Sequence, residues 1–392
     1  MPVSIQSITI WPRTVPTNVF IRRRRSSSEG WYRQQSTQSG YSESGDLQGF
    51  FDLYETVFGD ERSDEWFDWK YRNNPYVEGV PIQVATDGTG TIVGARPVFA
   101  LPLSIDAERV LALQPCDTMV HPDHRRQGLF TRMTERVIER YADHEAALFF
   151  NFPNRYTRAG NEKLGWDVLG QVPTYYRFQH PSAWLSTDSL VRNAAGVAAD
   201  AIARGYAGIR TSLTDAPGGI TVTRTDRVPA DVLASLYTEA VPSGIHTPRD
   251  REFCHWRYEN PDWWYRYYVA RRNGDPVGAA IVGRRTGRNG AVRLTDILPV
   301  TLQPDPTVAL LQAIISDTAD HNAILAPSTL PTSVLSAFGF HGDTAFPLSR
   351  VSSPTMLAVR PAALDPDAWS PEVRSAATLS NWEITFAEQD TS

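Results

Sequence analysis

The chain has 392 residues, of which 41% are hydrophobic, and a formal net charge of −6 at pH 7. This length is enough for two or three domains, and the acidic balance argues against general nucleic-acid binding, which usually shows a strongly basic domain. The sequence contains no run of 18 apolar residues, so we expect no membrane span. Its two cysteines, Cys116 and Cys254, cannot build a disulfide framework. A reducing cytoplasm is therefore the expected compartment.

Residues 1–30 are predicted to form a disordered basic tail. The run Ile21-Arg-Arg-Arg-Arg-Ser-Ser-Ser-Glu29 is polar and biased in composition. Its arginines follow a mildly apolar stretch, which is the opposite order to that of a secretory signal. The polar bias continues to about residue 45, and Trp31 to Gln35 is a candidate for the first strand.

The next segment alternates helix and strand signals in a regular order. Apolar residues at helical spacing predict a helix over 46–58 and another over 128–141, and a shorter helix is expected near 158–164. Strands are predicted over 81–85, 91–105, 111–120, 146–152 and 172–178. A meander combined with a crossover helix indicates a mixed sheet flanked by helices, so the expected fold class is α/β of the α+β type.

Four short landmarks recur later in the chain in the same order, with offsets of about 174 to 187 residues. The pairs are Leu53-Tyr54 with Leu236-Tyr237, Trp69-Lys-Tyr-Arg-Asn-Asn-Pro75 with Trp256-Arg-Tyr-Glu-Asn-Pro261, Val93-Gly-Ala95 with Val277-Gly-Ala279, and Leu164-Gly-Trp166 with Phe338-Gly-Phe340. We infer two copies of one fold, a first copy at 31–180 and a second copy at 219–360. Because Trp69 and Trp256 occupy the same position in both copies, we expect both to anchor the core.

The two copies are predicted to be joined by a linker helix at 181–218, where the sequence is rich in alanine. A C-terminal tail follows at 361–392. Proline and alanine punctuate this tail, and its segment Trp382-Glu-Ile-Thr-Phe386 is a possible edge strand.

The most informative stretch runs from Leu111 to Met133. It reads as a strand, a proline stop, a loop containing arginines and Gly128, and then an amphipathic helix. The N-terminus of a helix presents unpaired N–H groups and a positive dipole end, which together form an anion site. This order therefore suits the docking of a polyphosphate.

The segment Val120-His-Pro-Asp-His-Arg-Arg-Gln-Gly-Leu-Phe130 resembles the loop of the GNAT superfamily of acyl-CoA N-acyltransferases. That loop reads Gln/Arg-x-x-Gly-x-Gly/Ala after a strand that ends in Val-x-Pro, and Arg125 and Gly128 match it. Phe130 departs from the small residue of the family. The second marker of the family, a strand, a helix and then Leu-Gly-aromatic, is matched by Phe149–Asn154 and Glu162–Trp166.

The resemblance implies two GNAT-like domains, of which the first binds acetyl-CoA as acyl donor. Met119 and Val120 would then contact the pantetheine arm, to which Asn154 could also bind. Gly128 permits close backbone approach, and Arg125 and Arg126 add charge-assisted bonds to phosphate oxygens. The resemblance assigns the phosphates to a loop formed by Arg125, Arg126, Gln127, Gly128, Leu129 and Phe130.

Acyl transfer to an amine needs a base, a donor to the developing oxyanion and an acid for the leaving thiolate. Asp117 is the candidate base, with a water relay as the alternative, and the resemblance implies an oxyanion donor near the amide of Met119. The family's usual acid is a tyrosine at the position of Asn161, so Tyr156 is the candidate in its place. Half-buried packing is the alternative role for Tyr156. No metal site is predicted.

The second copy lacks an Arg-x-x-Gly loop, and Asp305 at its helix start would repel phosphate. We therefore expect that it has lost CoA binding. The predicted function is N-acetylation of a small-molecule amine, with no nucleic-acid partner and with the oligomeric state left open. Two alternatives stand beside it: a tandem-fold aminoacyl or peptidyl transferase of the cell-envelope type, and a module that senses acetyl-CoA without catalysis.

Overall fold

The computed structural model describes residues 4–7, 43–142, 146–180, 205, 208, 217–286, 290–300, 303–346, 348–350 and 352–390. The candidate strand at Trp31–Gln35, nearly all of the basic tail and most of the predicted linker helix lie outside these residues. Across the described ranges, no helix is both long enough and apolar enough to cross a bilayer.

The strands of the first half are β1 (Ser4–Ser7), β2 (Ile82–Thr86), β3 (Ile92–Ile105), β4 (Glu108–Pro115), β5 (Met119–Val120), β6 (Ala146–Asn151), β7 (Asp167–Gln171) and β8 (Thr174–Phe178). Those of the second half are β9 (Ile220–Thr225), β10 (Trp263–Arg272), β11 (Asp275–Arg285), β12 (Ala291–Leu298), β13 (Ala323–Pro327), β14 (His341–Gly342) and β15 (Met356–Pro361). The strand predicted over 111–120 is therefore two strands, β4 and β5, separated at Cys116–Thr118.

The helices are α1 (Glu43–Phe58), α2 (Asp64–Phe67), α3 (Leu129–Ala142), α4 (Arg155–Glu162), α5 (Ala230–Glu239), α6 (Arg251–Arg257), α7 (Pro304–Asp317) and α8 (Thr332–Ala337). A single π-helical turn, Asp68–Arg72, continues α2. Helix α3 agrees with the prediction for 128–141, because Leu129, Met133, Val137 and Tyr141 are all buried on one face.

The strands form two mixed sheets, which bears out the predicted fold class. The first sheet has the order β1-β2-β3-β4-β6-β15-β7, with β5 paired to β3. The second sheet has the order β14-β8-β13-β12-β11-β10-β9. Among the described strands, the parallel pairs are β4 with β6 and β12 with β13, one in each sheet.

The two halves of the chain exchange one strand each. Strand β8, which the sequence analysis assigned to the end of the first copy, lies in the second sheet between β13 and β14. Reciprocally, β15 lies in the first sheet between β6 and β7. The sequence could not reveal this exchange, because the pattern of a strand indicates that it pairs but does not indicate the sheet to which it belongs. Each sheet is therefore completed by the other half of the chain.

The four repeated landmarks occupy equivalent places in the two halves. Leu53 and Leu236 are buried on α1 and α5, and Val93 and Val277 lie on β3 and β11. Gly165 and Gly339 follow α4 and α8 with φ of 83° and 75°, the left-handed conformation in which glycine ends many helices.

Trp69 and Trp256 meet where the two halves join. The Nε1 of Trp69 donates to the carbonyl of Trp256 at 2.7 Å, and the Nε1 of Trp256 donates to the carbonyl of Trp69 at 3.0 Å. Their rings are stacked with centroids 6.0 Å apart. Reciprocal contacts of this kind are those of a two-fold interface. Both tryptophans are 7% exposed, so the prediction that they are core anchors is confirmed.

The C-terminal segment packs across both halves. Trp382, Ile384 and Phe386 are buried, and Trp382 makes a single bridge with Ile245. The possible edge strand at 382–386 is therefore wrong: the described backbone forms that one bridge and no ladder. Gln114 Nε2 donates to the carbonyl of Glu388 at 3.0 Å, which ties the segment to the end of β4.

His246 makes the folded protein sensitive to acid. It is 1% exposed, its Nδ1 lies 2.6 Å from the carbonyl of Gly244, and its Nε2 lies 3.0 Å from the hydroxyl of Tyr237. Burial, and then the charge of Arg249, lower its pKa below the ordinary value. The unfolded state therefore binds more protons below about pH 6.5, and stability is lost as the pH falls.

We expect the wild-type free energy of unfolding to fall faster than that of His246→Gln as the pH drops from 7.5 to 5.5. The difference in slope has a ceiling of about 1.4 kcal/mol per pH unit. Urea unfolding at a series of pH values measures it. Parallel curves for the two proteins would show that His246 does not titrate on unfolding.

Candidate functional site

A cavity of about 300 Å³ opens between the C-terminal ends of β4 and β6. These parallel strands are paired as far as Leu113 and Phe149 and then diverge. The cavity is lined by residues from the end of β4 (Gln114, Pro115, Cys116, Asp117, Thr118), the end of β6 (Asn151, Phe152, Pro153, Asn154), and by Arg96, Gln389 and Asp390. The divergence of two parallel strands thus creates a polar space at the centre of the first sheet.

A bulge places Asp117 in this space. Val98 pairs with Pro115 and Ala95 pairs with Met119, so the three residues 116–118 lie opposite the two residues 96–97. One extra residue in one strand is a β-bulge, which redirects side chains and is common beside active sites. Asp117 has φ of 38°, a left-handed conformation that aspartate adopts more readily than most residues. The predicted β strand is interrupted at the residue predicted to be the base.

Asp117 belongs to a buried network of charges. Its Oδ2 lies 2.5 Å from Lys70 Nζ and accepts a hydrogen bond of 2.5 Å from the hydroxyl of Tyr71. Lys70 also pairs with Asp390 at 2.6 Å. The Lys70 side chain has no exposed surface, and that of Asp117 is 3% exposed.

The network fixes the protonation states of Lys70 and Tyr71. Burial alone would lower the pKa of Lys70, but the carboxylates of Asp117 and Asp390 outweigh it and raise that pKa above the ordinary value. Burial, and then the charge of Asp117, raise the pKa of Tyr71. Lys70 is therefore an ammonium at neutral pH, and Tyr71 is a phenol that donates to Asp117.

Lys70→Met should destabilise the protein by about 3 to 5 kcal/mol, because it leaves two carboxylates without their buried cation. Lys163→Met is the matched control. Lys163 is the other lysine of the chain and is exposed, so its loss should cost less than about 0.5 kcal/mol. Urea unfolding at pH 7.5 measures both. A loss below about 1 kcal/mol for Lys70→Met would contradict the network.

Cys116, Asp117 and Asp390 offer possible ligand atoms within 4.8 Å of one another. Lys70 Nζ contacts both carboxylates, and its positive charge opposes a metal cation there. Burial raises the pKa of the Cys116 thiol well above its ordinary value, so the thiolate that metals bind is disfavoured. These residues form an ion-pair network and do not suit a metal centre.

The predicted phosphate loop is an exposed turn at the start of α3. A short 3₁₀ turn, Pro122–His124, leads into it, and Arg125, Arg126, Gln127 and Gly128 are exposed. Arg126 and Gly128 have φ of 62° and 73°. These two left-handed residues lie just ahead of Leu129, where α3 begins. The first N–H groups of α3 have no partner within the helix.

Phe130 points away from this turn. Its ring lies against Gly160, where an added Cβ would come within 2.6 Å of the ring. The guanidinium of Arg96 lies 5.0 Å from the ring centroid. The aromatic side chain thus fills space between α3 and α4 and leaves the exposed side of the turn clear. Leu129 is buried, as is Met119, whereas Val120 is partly exposed.

Asn154 and Tyr156 lie at the start of α4. The Asn154 side chain caps the helix by accepting from the N–H groups of Tyr156 at 2.9 Å and Thr157 at 3.1 Å. Tyr156 is 75% exposed and its hydroxyl contacts Arg155. Tyr156 is therefore a surface residue, not the half-buried packing residue of the alternative. Asn161 is fully buried and accepts from Arg96 at 3.4 Å.

Sequence reasoning missed three residues of the cavity region, namely Lys70, Arg96 and Asp390. Lys70 carried a signal, since the chain has only two lysines among 38 basic residues. Arg96 and Asp390 carried none. Arg96 lies within a long apolar strand, and Asp390 reaches the site from the end of the chain.

The second sheet holds a related but closed network. Tyr258 donates to Asp296 at 2.7 Å, as Tyr71 does to Asp117. Arg249 takes the place of the lysine and pairs with both Asp296 and Glu388. The three charged side chains of this network have no exposed surface. The C-terminal segment thus supplies one carboxylate to each network.

Comparison with known proteins identifies the family of the first half. Residues 41–169 match the model of the acetyltransferase (GNAT) domain. No curated protein sequence matches the chain.

Three solved structures share the fold across most of the chain. A GCN5-related N-acetyltransferase from Anabaena variabilis is 12% identical with a TM-score of 0.57 over 82% of this chain and 72% of its own. A probable N-acyltransferase from Enterococcus faecalis is 12% identical, with a TM-score of 0.56 over 82% and 71%. A GCN5-related N-acetyltransferase from Kribbella flavida is 15% identical, with a TM-score of 0.53 over 81% and 69%.

Proposed function

We propose that this protein, whose residues 41–169 match the model of the acetyltransferase (GNAT) domain, is an acyltransferase that transfers an acetyl group from acetyl-CoA to an amine. One observation carries this proposal. The phosphate loop and a polar cavity lie at the two ends of the short strand β5, with the loop after Val120 and the cavity before Met119.

The loop suits the CoA pyrophosphate. Residues 125–128 are exposed, two arginines precede Gly128, and the helix α3 behind them is 14 residues long. A Cβ added at Gly128 would meet only Arg132 Nη1, at 3.5 Å. The site therefore combines open backbone, positive charge and a helix N-terminus. We assign Arg125, Arg126, Gln127, Gly128, Leu129 and Phe130 to it, with Met119, Val120 and Asn154 toward the pantetheine arm.

In the proposed reaction the amine nitrogen bonds to the thioester carbonyl carbon and the carbon–sulfur bond breaks. The ammonium first loses one proton to Asp117, directly or through a water. After the attack the nitrogen loses a second proton, which replaces the proton that Tyr156 gives to the departing sulfur. The amide of the bulge near Met119 is the proposed oxyanion donor. Tyr156 stays the predicted acid for the sulfur.

The first half of the chain carries the proposed site and the second half supports it. In the second half the equivalent carboxylate, Asp296, is sealed in its ion pairs, and Asp305 at the start of α7 pairs with Arg272 at 3.3 Å. A negative charge at this helix start disfavours phosphate. We therefore propose that the second GNAT-like domain, predicted at 219–360, binds no CoA and completes the fold of the first, predicted at 31–180.

Release of CoA thiol from acetyl-CoA, followed with a panel of amines, tests the activity, and calorimetric titration tests binding. We expect binding and turnover with at least one small-molecule amine. Binding without turnover for every amine would favour the sensing module, for which the replacement of the family tyrosine by Asn161 is the supporting observation. Failure to bind any CoA thioester would contradict the proposal and favour an aminoacyl or peptidyl transferase. The cytoplasmic location stays a prediction.

A further inference from the structure

Arg96 is a buried cation without a carboxylate. It lies on β3 opposite the bulge, is 1% exposed and lines the cavity. Its Nη1 donates to Thr118 Oγ1 and its Nη2 to Asn161 Oδ1, and both of these acceptors are neutral. Among the described residues no carboxylate forms an ion pair with it. Burial lowers the pKa of Arg96 to about 10, which leaves it charged at neutral pH.

The fold treats Arg249, the buried arginine of the second network, differently. Arg249, also without exposed surface, is neutralised by two carboxylates. Buried charges are normally paired, because an isolated ion in a low-dielectric interior is costly. In the first half of the chain, Arg96 is a buried charge at the wall of a cavity, and no carboxylate of the described residues forms an ion pair with it.

Four polar atoms around the cavity also have no hydrogen-bond partner within the described protein. They are Arg96 Nε, Asn161 Nδ2, Gln114 Oε1 and Asn151 Oδ1. All four side chains are at least 95% buried, and most buried polar atoms in native proteins are paired. Because Asn161 Oδ1 accepts from Arg96, its Nδ2 is free to donate. The charge of Arg96 thus lies at the cavity wall that Gln114 and Asn151 also line, whereas Asn161 contacts Arg96 from outside the lining.

We propose that Arg96 binds a carboxylate carried by one of the two substrates of the acyl transfer. The guanidinium of Arg96 is the donor and supplies the compensating charge. This inference rests on the proposed function, and it adds that the substrate is a small carboxylic acid. The carboxylate belongs either to the amine acceptor, as in an amino acid, or to a dicarboxylic acyl group.

The rest of the cavity suits a carboxylate better than a phosphate. Asp117 and Asp390 both line the cavity and both pair with Lys70, so two carboxyl groups lie at that wall. It would repel a dianion more strongly than a monoanion. The same wall attracts an ammonium group, and an amino acid presents both charges.

Three paired comparisons, one of acyl donors and two of acceptors, locate the carboxylate. In the donor arm, calorimetry compares succinyl-CoA with butyryl-CoA, which differ by one carboxylate at the same chain length. In the acceptor arm, thiol release from acetyl-CoA compares phenylalanine with phenethylamine and lysine with cadaverine. We expect one arm to favour the carboxylated partner by about 10- to 100-fold, as a charged hydrogen bond does, and that arm identifies the source.

Arg96→Gln should reduce this preference to less than about threefold. Arg177→Gln is the matched control, because Arg177 is also buried, bonds to a carbonyl in the second sheet and lies outside the cavity. It should keep the wild-type preference. If Arg96→Gln fails to fold, the comparison of carboxylated with uncharged partners in the wild type still tests whether the protein prefers a carboxylate.

Failure of this inference and failure of the proposed function give different results. Equal binding and turnover of all carboxylated and uncharged partners, with CoA still bound, would overturn the inference and leave the acyl transfer intact. Failure of every CoA thioester to bind would overturn the proposed function, and the inference would fall with it.

Discussion

Gly128→Glu should weaken the binding of CoA by at least about 100-fold while the protein stays folded. The substitution places a carboxylate among the groups assigned to the pyrophosphate, and it opposes the positive end of α3. Gly128 also has φ of 73°, so any side chain there costs about 1 to 3 kcal/mol of backbone strain. Calorimetric titration with CoA measures the affinity, and urea unfolding measures the strain.

Gly90→Glu separates the two effects. Gly90 has φ of 90°, lies in the exposed turn between β2 and β3, and has open space around its Cβ direction. The control therefore carries a similar backbone strain and the same added charge, but lies away from the loop. It should bind CoA as the wild type does. Unchanged affinity in Gly128→Glu would refute the placement of the phosphate site.

Asp117→Asn should lower kcat by about 100-fold or more, the usual contribution of a positioned base. The amide keeps the shape of the side chain and cannot accept a proton. Lys70 keeps Asp390 as a counter-ion in this variant, so the fold should survive the change. The release of CoA thiol at saturating acetyl-CoA measures the effect, and titration with CoA should show that donor binding is retained.

Asp167→Asn is the control for Asp117→Asn. Asp167 is exposed at the start of β7, and its replacement should leave kcat unchanged. A kcat for Asp117→Asn within about threefold of the wild type would contradict the assignment of Asp117. The proton would then leave the amine through water alone.

The two networks agree with the proposal that only the first half of the chain carries a site. In the second half, Arg249 forms short, multiple bonds with Asp296 and Glu388, and every charge is satisfied. In the first half, a lysine bridges two carboxylates and Arg96 stays without a carboxylate partner in the described chain. The same topology thus yields a sealed interior on one side and a polar cavity on the other.

The sequence by itself predicted the repeated landmarks, the class of fold and the loop proposed for the phosphates. These depend on local patterns: the period of apolar residues in α3, the glycine after α4 and α8, and the order of strand, arginine, glycine and helix. Each pattern is contained within about twenty residues, so the chain reveals it without knowledge of long-range contacts.

Only the tertiary structure decided what surrounds the reacting groups. Four features depend on residues that are not neighbours in the chain. They are the exchange of β8 and β15, the bulge at Asp117, the pairing of Lys70 with Asp390 and the position of Arg96. Lys70 and Asp390 are separated by about 320 positions. No local periodicity encodes such a contact, because it depends on how two sheets and a C-terminal segment pack together. The sequence therefore predicts a phosphate site after β5, whereas the packing determines the charge and shape of the cavity beside it.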